Sequence, residues 1–147
     1  NLIINYPNNE EEISIVKNMH NIINHNIQPI INLDELMKFQ NLVINMPISD
    51  NVIEFAVQFV RMTRLSDTDS KITKKWLNWG AGPRASTILI SAAKANALIN
   101  GKATPDIDDI KLMVKPVLRH RIIPNFNAEA EGLSRDNILD EILNSLK

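Results

Sequence analysis

Apolar residues recur every three or four positions along most of this chain, the spacing that lines one face of an α-helix. Residues 8–24 begin with Asn8 or Asn9 as a cap and place Glu10, Glu11 and Glu12 in the first turn, where acids suit the helix dipole. Ile13, Val16, His20 and Ile23 then share a face. Asn24 to Ile31 reads as a loop around Pro29, and Asp34 to about Ile44 as a second helix carrying Leu36, Met37, Val43 and Ile44, ended by Pro47. Ser49 caps a third helix to about Leu65, with Val52, Ala56, Phe59, Val60 and Thr63 on one side. Ser66 to Lys75 is polar and irregular, and Ser66–Lys71 is the candidate mobile loop. A fourth helix runs from Pro83 to Asn100 and stops at Gly101, a common C-terminal signal. Thr104 as cap and Pro105 at the first position open a fifth helix, which Pro116 kinks or divides. Ser134 caps a last helix striped by Ile138, Leu139, Ile142, Leu143 and Leu146. Leu2-Ile3-Ile4 reads as a strand with no partner. The expected fold is all-α, a small bundle of about five to six helices with one stray N-terminal strand.

One turn departs from this regular pattern. Trp76-Leu77-Asn78-Trp79 leads into Gly80-Ala81-Gly82-Pro83-Arg84-Ala85-Ser86. Proline suits the first position of a helix, so Gly82 is the expected N-cap and Arg84 lies in the first turn. A cation there opposes the positive end of the helix dipole. It becomes favourable when an anion binds, because free N–H groups, the dipole and a guanidinium then converge on one phosphate.

Composition narrows the classes. The chain has 147 residues, 44% hydrophobic but only 5% aromatic, so its core is built mainly from aliphatic side chains and alanine. A net charge of -1 gives no general attraction to nucleic acid or acidic membranes. There is no cysteine, which excludes disulfides and cysteine–zinc sites and fits a cytoplasmic location. No apolar run approaches a membrane span. The three histidines lack metal-ligand spacing, so no metal site is assigned. His20 reads as a core histidine, Trp76 and Trp79 as anchors of a loop to the core, and Arg119-His120-Arg121 as a solvated helix end.

These segments, in this order, resemble the C-terminal helical lid of MoxR-type AAA+ ATPases. Tyr6-Pro7 followed by Glu10-Glu11-Glu12 looks like the exit from the ATPase core. Pro47-Ile48-Ser49-Asp50 and Met62-Thr63-Arg64 look like the ends of the lid's middle helix, and Gly80–Ser86 like the family's GASPRAS signature. Thr104–Ile110 and Val117–Ile122 look like its last two blocks. The resemblance implies that residues 1–7 end the core and form a hinge, and that 8–147 form the lid. It implies that Arg84 is the catalytic sensor-2 arginine, reaching the γ-phosphate of ATP. It places Tyr6, Pro7, Pro83 and Arg84 at the nucleotide, with the Tyr6-Pro7 hinge near the adenine.

By the same resemblance the full-length protein binds ATP and Mg, and the partners are its own core and neighbouring subunits in a hexameric ring. A von Willebrand factor A domain protein is a further implied partner, and the implied work is chaperone-like remodelling or metal-enzyme maturation. Neither nucleic acid nor membrane is expected. Where the family has serine, this chain has Gly82, which forgoes a side-chain cap at a cost of a few tenths of a kcal/mol. No G-x-x-x-x-G-K-[ST] loop occurs, so residues 1–147 alone are expected neither to hydrolyse ATP nor to hold a cofactor. The contrasting classes are a helical nucleic-acid-binding module and a helical protein-interaction module.

Overall fold

A computed structural model describes residues 3–19 and 28–146. Two compact units emerge, Leu2–Phe39 and Gln40–Lys147. The shorter unit holds α1 (Asn9–Asn18) and the start of α2 (Leu33–Asn45). Asn8 caps α1 in a reciprocal box: its side chain accepts from the Glu11 N–H, and the Glu11 carboxylate accepts from the Asn8 N–H, both at 2.9 Å. Asn32 and Glu35 repeat the device at the start of α2. Ile3 and Ile4 are exposed and form no strand, against expectation. A strand needs a neighbour for its N–H and C=O groups, and nothing among the described residues pairs with these two. His20 and Ile23 lie outside the described residues.

The longer unit is built on α3 (Asp50–Met62), α5 (Arg84–Ile99), α6 (Ile107–Leu118) and α8 (Arg135–Ser145). Small residues explain its closest contact. Ala85, Leu89, Ala93 and Ala97 recur every fourth position of α5 and are fully buried, and α5 packs most extensively on α6. Ile110, Val114, Val117 and Leu118 answer from α6, Val52, Ala56, Phe59 and Val60 from α3, and Ile138, Leu139 and Ile142 from α8. Each large aliphatic chain buried here contributes about 1.5–3 kcal/mol. The last helix is as expected, with Ser134 as its cap.

Several local expectations are corrected. Lys71–Trp76 forms α4 where an irregular segment was expected. This short helix buries Thr73 and Trp76, half-buries Ile72 and exposes its three lysines, so its polar composition hides it. Leu77–Trp79 is a strand, β1, paired antiparallel with β2 (Ile123–Pro124). Asn125 ties the end of this sheet to α4: its N–H donates to the Trp76 carbonyl at 2.9 Å and its side-chain amide to the Lys75 carbonyl at 2.8 Å. The same side chain caps α7 (Phe126–Ala130). The fold is mostly helical, with eight helices and this one small sheet among the described residues.

The fifth expected helix starts two residues late. Asp106, not Thr104, is the cap of α6, in a reciprocal box with Asp109. Pro105 precedes the cap, and the helix continues through Pro116 to Leu118. Asp109 is 1% exposed and accepts from Asn96 at 2.8 Å and from Lys102 at 2.9 Å. The Lys102 ammonium, helped by the Asp109 N–H, holds the Asp106 carboxyl down from 3.8 to about 2. A lowered folded-state value stabilises the fold above the ordinary carboxylate range, and that contribution is lost as pH falls from about 4 toward 2. Lys102 is shifted the other way, raised by Asp109 and then Asp106, so its contribution is lost only as pH climbs beyond 10.5. Melting temperature against pH is expected to fall on the acid side, and Asp106→Asn is expected to flatten that fall. An unchanged acid limb in the variant removes the assignment.

Candidate functional site

The turn before α5 is held by the end of α3. Thr63 is buried; its hydroxyl donates to the Val60 carbonyl at 2.7 Å and accepts the Ala81 N–H at 2.9 Å. The next residue takes the other half of the same amino acid: Arg64 Nε donates to the Ala81 carbonyl at 2.8 Å. Arg64 Nη1 also donates to Asp67 Oδ2 at 3.0 Å. That bond, and then one from Ser66, holds the Asp67 carboxyl below its usual range. Thr73 closes the set by donating to the Met62 carbonyl at 2.5 Å.

Gly80 is required by this closeness. A Cβ there would lie 2.0 Å from the Thr63 carbonyl oxygen and 2.8 Å from the Arg64 Cα. Gly82 is different, because a Cβ at that position meets nothing within 4 Å. Pro83 has helical dihedrals, φ -57 and ψ -32, so helical geometry begins there, but the hydrogen-bonded helix starts at Arg84 with Pro83, not the expected Gly82, at the cap position. The first turn of α5 has no acidic residue and no side-chain cap. Gly82→Ser is therefore expected to fit and to supply the missing cap, raising stability by about 0.5 kcal/mol. The melting temperature is the readout, and a fall on substitution would mean the turn excludes a side chain.

Arg84 is the first residue of α5 and is exposed. Its guanidinium has no ion pair or hydrogen bond among the described residues, unlike Arg64 and Arg119. An unpaired cation at the positive end of a helix is an arrangement that an arriving anion relieves. Beside it an open groove of about 490 Å³ is lined by Arg64, Asp67, Trp79, Gly80, Gly82 and Pro83. Trp79 is 69% exposed at this groove, so it does not anchor the core as expected, whereas Trp76 does. Trp76 is buried and donates from Nε1 to Glu141 at 3.0 Å.

The structure thus places Pro83 and Arg84 together on a braced turn. Tyr6 and Pro7 belong to the shorter unit, where both are exposed. Arg119 is not a free cation of a solvated helix end: it pairs with Asp136 of α8 at 3.1 Å. Among the described residues no cluster of His, Cys, Asp or Glu suits a metal ion, and no helix is long and apolar enough to cross a membrane. A contact from Arg64 to this turn is a reading the sequence allows, but the hold of Thr63 on Ala81 was missed. Its one visible trace was a glycine at 80, whose necessity depends on a neighbour 17 residues upstream.

The end of α3 thus clasps a Gly-rich turn, and α5 opens with an arginine directly behind it. The chain belongs to the AAA lid domain family, whose profile matches residues 69–142. It is 27% identical over 97% of its length to the chaperone MoxR1 of Mycobacterium tuberculosis. It is 28% identical over 99% of its length to the protein YeaC of Bacillus subtilis. A crystal structure from Cytophaga hutchinsonii, of a protein described as a proposed ATPase, matches 98% of the chain with a TM-score of 0.79 and 28% identity. Together these bear out the MoxR-type AAA+ resemblance drawn from Gly80–Ser86. The chain spans 38% and 43% of the two protein relatives and 44% of the structural one.

Proposed function

We propose that this chain is the nucleotide-sensing lid of an AAA+ ATPase, with Arg84 as its sensor of the γ-phosphate. The observation that carries the reading is the unpaired, exposed guanidinium at the start of α5, on a turn fixed from both sides. ATP and Mg are taken up by the full-length polypeptide, and no residue of this chain is assigned to the metal. A guanidinium at this place neutralises charge that develops on the phosphoryl oxygens during transfer. ATP draws Arg84 inward, hydrolysis releases it, and the lid turns about Tyr6-Pro7, which lie by the adenine. That motion passes to the neighbouring subunit of a ring. Chaperone-like remodelling or metal-enzyme maturation, with a von Willebrand factor A domain partner, is the use proposed for it.

Binding distinguishes this lid from one without nucleotide sensing. In the full-length polypeptide, Arg84→Ala is expected to weaken ATPγS binding while leaving ADP affinity within about twofold, because the lost contact is to the terminal phosphate alone. Equal loss for both nucleotides, or for neither, would remove the sensor role.

A further inference from the structure

We infer that Arg64, braced by Asp67, is a positioning residue for Arg84. The inference rests on the sensing role proposed above and adds the device that aims the sensor. The Ala81 carbonyl belongs to the peptide plane that joins Ala81 to Gly82. Gly82 is the most freely rotating residue of the turn, and α5 has no side-chain cap to restrain it. Thr63 and Gly80 fix the turn on its N-terminal side, through the Ala81 N–H and through backbone packing. Among the described residues only Arg64 grips the following peptide plane, at 2.8 Å. Two residues further on the chain is helical, so rotation of that plane shifts the first turn of α5, and the Arg84 side chain with it, while the buried face of the helix stays in place.

Arg64 is suited to this task. Its side chain is 23% exposed, and the guanidinium directs Nε at the carbonyl and Nη1 at Asp67, two fixed directions from one planar fork. Lysine has a single donor head and cannot span both acceptors in that geometry. Asp67 is in turn held from the other side by Ser66, and Arg61 adds a long contact at 3.9 Å.

The test is steady-state ATP turnover of the full-length polypeptide, with kcat and KM separated. Arg64→Lys is expected to lower kcat about 10-fold, since small misplacements of a catalytic group carry losses of that order. KM for ATP is expected to rise by no more than the loss of ATPγS affinity in Arg84→Ala, because both changes act through the same γ-phosphate contact. Added to Arg84→Ala, the same change is expected to lower turnover no further, as a residue acting only through Arg84 must. Gly82→Ser, which supplies a cap of its own, is expected to restore several-fold of the Arg64→Lys loss. Wild-type kcat in Arg64→Lys, an independent loss on the Arg84→Ala background, or no rescue by Gly82→Ser each overturns the inference. If Arg64→Lys melts too early to assay, Asp67→Asn replaces it: a smaller kcat loss in the same direction supports the inference, and wild-type kcat overturns it. Should Arg84→Ala itself turn over normally, the sensing role fails first. A slow Arg84→Ala beside a normal Arg64→Lys sinks the positioning role alone.

Discussion

Arg84→Ala is expected to lower ATP turnover of the full-length polypeptide by about 10³-fold, the scale of arginines that stabilise a transferring phosphoryl group. The melting temperature is expected to stay unchanged, and that contrast gives the prediction its force. Arg84 is exposed and its side chain makes no ion pair or hydrogen bond among the described residues, so truncating it breaks nothing in the fold. Removing a cation from the first turn even relieves a small dipole conflict. A phenotype confined to turnover therefore separates a ligand-directed arginine from a structural one. Activity within twofold of wild type would end the assignment, and a parallel loss of stability would recast Arg84 as part of the bundle.

Gly80→Ala is expected to be the most damaging small substitution in the longer unit, at about 3–5 kcal/mol. The added carbon would sit 2.0 Å from the Thr63 oxygen and 2.5 Å from its carbonyl carbon, both backbone atoms with no rotamer to yield. The turn must then move off α3. Overpacking of this kind costs about 1–3 kcal/mol. Displacing the turn also takes the buried Ala81 N–H from the Thr63 hydroxyl, leaving a donor without an acceptor at about 1–3 kcal/mol more. Urea unfolding reads the sum directly. With a slope of about 1–3 kcal/mol per molar, a midpoint shift of a molar or more is expected. A shift of a few tenths molar would mean that the turn stands free of α3. Alanine at Gly82, two residues on, is expected to be tolerated, since a Cβ there meets nothing.

α3 and α8 were legible because each buries one continuous face. The stripe Val52, Ala56, Phe59, Val60 and the stripe Ile138, Leu139, Ile142 repeat at helical spacing and are buried as that spacing requires. Short elements lacked room for a period to show. Lys71–Trp76 has one and a half turns and four polar residues. Leu77–Trp79 and Ile123–Pro124 are strands only because each finds the other more than 40 residues away. Thr104-Pro105 mimicked a helix start, but the acceptor positioned to bond the first free N–H belongs to Asp106.

The residues of the candidate site divide the same way. By itself the sequence determined that an arginine opens a helix behind a glycine–proline turn, which is local chain geometry that needs no partner. It also determined the family resemblance, since the motifs stand in order along the chain. Only the tertiary structure decided that Thr63 and Arg64 take the two backbone groups of Ala81, that Gly80 admits no side chain, and that Arg119 is committed to Asp136 while Arg84 is not. The reason is physical: a hydrogen bond between residues 17 or 18 apart depends on how α3 and α5 pack, and no short window of sequence contains that packing.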